Sequence, residues 1–148
     1  MGQPSSPANE HARDFHNDRL HALVTRIAAG DRAAFRTVYA FLAMQVWRDA
    51  IRLLPPADAR AVTRSTFVEI WHLAGHHLDH ERRETFAWIS TITARHTGDR
   101  IRSTGGQRLD CNGYDHHTHR ELVALLGNGH TTIRTAPATF TRVADLAP

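Results

Sequence analysis

Apolar side chains recur every three to four residues through four successive stretches, separated by short polar or Pro- and Gly-bearing segments. In "DRLHALVTRIAA", Asp18 is placed to cap a short helix whose Leu20, Leu23, Val24 and Ile27 share one side, and Gly30 stops it. Asp31 then caps a longer helix through "RAAFRTVYAFLAMQVWRDAIRLL". There Phe35, Tyr39, Leu42, Val46 and Leu53 keep the helical period, until Pro55 and Pro56 break the hydrogen-bond ladder. A third helix starts at Asp58, turns Val62, Thr66, Phe67, Ile70, Trp71 and Leu73 inward, and is expected to end at Gly75. The polar link "HHLDHERRE" leads into a fourth, from Glu84 to Ser103. Nothing here alternates with period two, so the pattern predicts an all-α fold, a compact bundle of about four helices over residues 18–103. Residues 1–17 read as a disordered leader, rich in Pro, Ser and Asn. Residues 104–148 read as a weakly structured linker and tail, in which "RELVALLGN" makes about two turns of helix and another short helix follows Pro137.

The fourth helix has two faces. Trp88, Ile92, Arg95, Asp99 and Arg102 form one stripe, in which Trp88, Ile89 and Ile92 are core residues and Arg95 pairs with Asp99. The neighbouring stripe of Thr93, His96, Arg100 and Ser103 is polar and has no acid on its own helix to pair with. Such a face either lines a phosphate backbone or is simply solvated.

Composition narrows the classes. A chain of 148 residues is one domain by length. No run approaches the roughly eighteen apolar residues that a membrane span needs, and the first residues lack the apolar core of a secretory signal, so a cytoplasmic protein is expected. The single cysteine, Cys111, excludes an internal disulfide framework. All eighteen basic residues are arginine, which fits a GC-rich genome and supplies planar cations for phosphate or carboxylate forks. The net charge of +3 is small, but arginines 82, 83, 95, 100, 102 and 108 face only Glu84 and Asp99 in their segment. Of the twelve histidines, His116, His117 and His119 follow Cys111 at a spacing that zinc can accept. With no second cysteine, and in a segment read as linker, they are expected to be solvated, and neither metal nor cofactor is expected. No phosphate loop, nucleophile elbow or paired-carboxylate motif is present, so the chain does not read as an enzyme.

The run "LVTRIAAGDRAAFRTVYAFLAMQVWRDAIRLL", followed by "ADARAVTRSTFVEIWHLAGHHLDHERRETFAWISTITARHTGDRIRS", resembles region 2 of extracytoplasmic-function (ECF) sigma factors, the bacterial subunits that guide RNA polymerase to promoters. The most specific pieces are "GDRAAFRTVY", "TFVEIW" and "FAWISTITARHTGDRIR", in the family's order and spacing. The resemblance implies a sigma-region-2-like bundle with two working surfaces. The helix holding "TFVEIW" corresponds to the one that docks on polymerase core, through positions here occupied by Arg60, Arg64, Ser65 and Val68. The link "HHLDHERRET" and the fourth helix correspond to the reader of the minus-ten element, a base taken out of the stack while arginines hold the strand. That mapping makes His77, His80, Arg82, Arg83, His96 and Arg100 the candidate DNA contacts, and leaves Trp88 in the core.

Two departures from the family qualify the expectation. The docking helix usually carries acids and a glutamine in a pattern like Glu-Asp-x-x-Gln-Glu-x-Phe, whereas Arg60, Ala61, Arg64 and Ser65 precede Phe67 here. Arginines in place of acids turn attraction for basic clamp residues into repulsion. The 45 residues after Ser103 also show no helix-turn-helix, so region 4 is expected to be missing. The expected partners are RNA polymerase core and promoter DNA. The alternative is a sigma-like protein-interaction module, engaging an anti-sigma factor or other regulator, that no longer initiates transcription.

Overall fold

The helix boundaries have local causes that can be followed along the chain. The computed structural model describes residues 7–80, 84–103 and 115–127. The first helix, α1 (Pro7–Ala28), begins with a proline, whose missing N–H is no loss in a first turn. It therefore starts well before Asp18, and residues 7–17 are helical where a disordered leader was expected. From Pro7 to His16 every residue is exposed, which is why no apolar period marked this part as helix. The stop at Gly30 is as expected. With φ of 87°, Gly30 donates to the Ile27 carbonyl at 2.8 Å and Asp31 donates to that of Arg26 at 3.0 Å, closing the last turn of α1.

Asp31 also starts α2 (Arg32–Ile51). Its Oδ1 accepts the N–H groups of Ala33 and Ala34 at 2.9 and 3.1 Å, and Arg26 pairs with its Oδ2 at 2.6 Å. The Ala34 N–H, then the Arg26 guanidinium, hold its carboxyl below the ordinary carboxylate value. Leu53, expected inside, is 67% exposed, because the chain turns at Ile51 and seats Leu54 inward instead. Helix α3 (Pro56–His80) opens on the second proline and runs through Gly75. A glycine costs about 1 kcal/mol in a helix interior, and the burial of Ala74 and His77 on either side offsets it. The fourth helix, α4 (Thr85–Ser103), starts one residue later than predicted, and a fifth, α5 (residues 115–127), exceeds the two turns expected there. The described residues contain no strand, so the fold is all-α.

Helix α3 is central and packs against α1, α2 and α4. Phe35 and Phe67 are fully buried and meet edge to face at 6.5 Å, with Trp71 and Tyr39 closing around them at 5.5 and 4.8 Å. Val24, Ile27, Val38, Ile70, Ile89 and Ile92 complete this core. A smaller cluster of Ala50, Leu54, Ala59 and Val62 sits under the proline turn between α2 and α3. No helix of the described residues is long and apolar enough to cross a membrane.

Candidate nucleic-acid and partner surfaces

The start of α4 is pinned from two sides. Thr85 is fully buried, with its hydroxyl 3.2 Å from His21 Nδ1 of α1 and 3.4 Å from His77 Nε2 of α3. The Phe86 N–H, one of the unpaired donors of a first helical turn, donates to Asn17 Oδ1 at 3.3 Å. His77 itself is 3% exposed and stacks on Trp88, the rings 4.1 Å apart and 9° from parallel. The structure therefore places His77 inside, holding α3 to α4, and not on the open loop where the sequence put it. Trp88 is half-buried against the main core, as expected. Arg82, Arg83 and the side chain of His80 lie outside the described residues.

Fixing the α4 start this way leaves a groove between α1, α2 and α4, with a volume of about 660 Å³. Leu20, Leu23, Val38 and Leu42 floor it. Two aromatic rings stand at its edge, Phe41 at 62% and Phe86 at 47% exposure, with the Arg19 guanidinium 5.8 Å from the Phe41 centroid. Arg13, His16 and Arg19 bring cations and donors to it, and Asp14 and Glu84 bring acceptors. Sequence reasoning missed this site, since Arg13, Asp14, His16 and Asn17 of its lining come from the stretch read as leader.

The polar stripe of α4 is not an open face. His96 Nε2 donates to Glu69 Oε2 at 2.5 Å, and Arg95 binds the other oxygen of Glu69. Arg95 thus pairs across to α3 and not with Asp99, which takes Arg102 instead. Arg100 donates from Nε to Asp58 at 2.8 Å and from both terminal nitrogens to Asp115 at 3.0 and 3.2 Å. Burial works against its charge, but the hydrogen bonds and charges of Asp115 and Asp58 outweigh that and raise its pKa. Thr93 is buried and its hydroxyl returns to the Ile89 carbonyl. This stripe therefore joins α4 to α3 and α5, a correction to both readings made from the sequence.

The docking positions on α3 divide similarly. Arg60 is exposed and Arg64 half-buried, while Ser65 and Val68 are buried. Val68 shares its apolar cluster with Leu122 and Leu125 of α5, and one turn on, His72 pairs with Glu121. Helix α5 presents Asp115, Thr118, Leu122 and Leu125 at spacings of three, four and three, one continuous face, and the last three of these are buried. Its His116, His117 and His119 are exposed, and Cys111 lies outside the described residues. No group of three or more potential metal ligands comes together among the described residues.

No family model matches the chain, and no solved structure matches it. Curated proteins do. The ECF RNA polymerase sigma factor SigK of Mycobacterium ulcerans is 32% identical over 95 residues, 62% of this chain and 50% of that protein. The proteins of the same name from Mycobacterium bovis and Mycobacterium tuberculosis are 30% identical over 92 residues, 60% of this chain and 49% of theirs. The chain spans about half the length of the curated relatives it matches. By this similarity, over some 60% of its length, the chain is related to the ECF RNA polymerase sigma factors.

Proposed function

We propose that the chain is a sigma-factor-like transcription protein of the bacterial cytoplasm that binds RNA polymerase core and the opened promoter minus-ten strand. The observation that carries this is the 32% identity over 95 residues to a sigma factor, a length comparable with the stretch from Pro7 to Ser103. The groove beside the α4 start supports it chemically. Bases of a single strand stack on exposed rings such as Phe41 and Phe86, phosphates meet Arg13 and Arg19, and Asp14 and Glu84 accept from base amino groups. His80, Arg82 and Arg83, which precede Glu84 in the sequence, are kept as DNA contacts in the proposal. His77, His96 and Arg100 act in it by holding the helices that frame the groove.

The first test is co-migration of the full chain with purified polymerase core at low and physiological salt, followed by fluorescence anisotropy with labelled single strands. Stacking contributes about 1–3 kcal/mol per base, so Phe86→Ala should weaken strand binding about 5- to 150-fold. A chain that binds no core, or a Phe86→Ala variant that binds every strand as well as the parent, overturns the assignment.

The exposed Arg60 and half-buried Arg64 favour a second reading, a sigma-like interaction module whose partner offers carboxylates, such as an anti-sigma factor or another regulator. Purified core that fails to bind, together with capture of an acidic regulator that Arg60→Glu abolishes, would select it.

A further inference from the structure

Phe35, Phe67, Val24, Val38 and Ile70, all on the first three helices, are fully buried, and Leu122 and Leu125 of α5 belong to the same apolar cluster. Toward α3, α5 meets the end of one stripe. Ala61, Ser65, Val68 and His72 follow one another at spacings of four, three and four, forming one stripe of α3. Three of its members are buried, and at its end the stripe meets Leu122, Leu125 and Glu121. Ser65 and Val68 of that stripe are positions that the family resemblance assigns to core docking. The fastenings sit at two points. Asp115 grips Arg100, whose second carboxylate, Asp58, stays on α3 whether or not α5 is seated. Glu121 meets His72, with His117 at 3.8 Å, and both histidines are more than half exposed.

We propose that α5 is a built-in cover over the docking stripe of α3, and that polymerase core binds the form in which α5 has lifted. This rests on the docking reading above. Lifting α5 frees the end of the stripe at Val68 and His72, next to Ser65 and Arg64, and leaves Arg100 paired with Asp58. Seated, α5 competes with core for the same stripe within one chain, so the apparent affinity for core falls by the fraction of molecules in which the stripe is open.

The experiment combines hydrogen exchange over residues 115–127 with titration of the full chain against purified core. It compares the parent, Leu122→Asp with Leu125→Asp, and the milder Glu121→Ala, which touches only exposed histidines. Faster exchange over 115–127, unchanged protection of α1–α3, and core binding tightened about tenfold in the double variant are expected; that factor corresponds to a cover seated nine-tenths of the time. Glu121→Ala should move both readouts in the same direction by a smaller factor. Faster exchange over 115–127 with unchanged core affinity overturns the cover and leaves docking intact. Absence of core binding by every version, with α5 demonstrably released, overturns the docking reading and the cover with it. Loss of protection throughout α1–α3 in Glu121→Ala means α5 is an integral part of the fold, and also overturns the cover.

Discussion

Arg100→Ala separates the structural role of this residue from the DNA-contact role that the sequence suggests. In the fold the guanidinium joins three helices, with one hydrogen bond to Asp58 of α3 and a forked pair to Asp115 of α5. All three side chains are about one-fifth exposed. Hydrogen bonds to charged groups contribute about 1.5–3 kcal/mol, and removing one partner of a fully buried ion pair costs about 3–5 kcal/mol. Here the two orphaned carboxylates can turn partly to water, which brings the expected loss to about 2–3 kcal/mol. With a urea dependence of about 1–3 kcal/mol per molar, the unfolding midpoint should fall by about 0.7–3 M, read by circular dichroism. Arg100→Lys, which keeps the charge and loses the fork, should recover part of it. Because the folded-state pKa of Arg100 is raised, its contribution is fully present below the unfolded value and is lost only as the pH rises through the folded one. The destabilisation should therefore be flat from neutral to mildly alkaline pH. A midpoint unchanged within error, accompanied by weakened single-strand binding, would refute the argument and return Arg100 to the DNA face.

Phe67→Ala should cost about 3–5 kcal/mol in the same urea assay, since the ring is fully buried against Phe35 and Tyr39. Two glycines should respond in opposite directions. Gly30→Ala, at φ of 87°, should lose about 1–2 kcal/mol, whereas Gly75→Ala, with nothing within 4 Å of the added carbon, should gain about 0.5–1 kcal/mol by thermal melting. The Asp31 carboxyl is depressed in the fold, so its stabilisation is present above the unfolded value of 3.8 and lost as pH falls through the lower folded one. Asp31→Ala should lower the melting temperature at pH 7 and make the acid-side decline shallower.

The parts of this fold that were legible from the sequence are those where local chemistry and burial agree. Asp31 as a cap, Gly30 as a stop and the Phe35–Val46 stripe each depend on neighbours within one or two turns, so spacing alone reveals them. The errors share a cause as well. Residues Pro7–His16 are helical but exposed on every side, and a helix that buries nothing leaves no period to read. Gly75 looks like a terminator until Ala74 and His77 are seen buried beside it. In α5, the polar Asp115 and Thr118 belong to the same inward face as Leu122 and Leu125, so the apolar pattern marks only its second half.

The site was less legible because charge pairing ignores sequence distance. Six arginines between Arg82 and Arg108 seemed to face two acids, an excess suited to a phosphate backbone. Glu69 of α3 meets Arg95 and His96, while Asp58 of α3 and Asp115 of α5 meet Arg100. Among the described residues, the three arginines of this segment, Arg95, Arg100 and Arg102, meet Glu69, Asp58, Asp115 and Asp99, so their charge is matched within the molecule. A strand approaching α4 along this stripe would have to displace carboxylates already held at hydrogen-bond distance, and gains little by exchanging one anion for another. Among the described residues, Arg13 and Arg19 of the groove lining form no ion pair with a carboxylate, and Arg19 stands over the exposed Phe41 ring. In the proposed function the nucleic-acid surface therefore lies at the first turn of α4 and not along its middle. There, Thr85, His21, His77 and Asn17 hold the backbone in place, and the neighbouring side chains are left to meet a ligand.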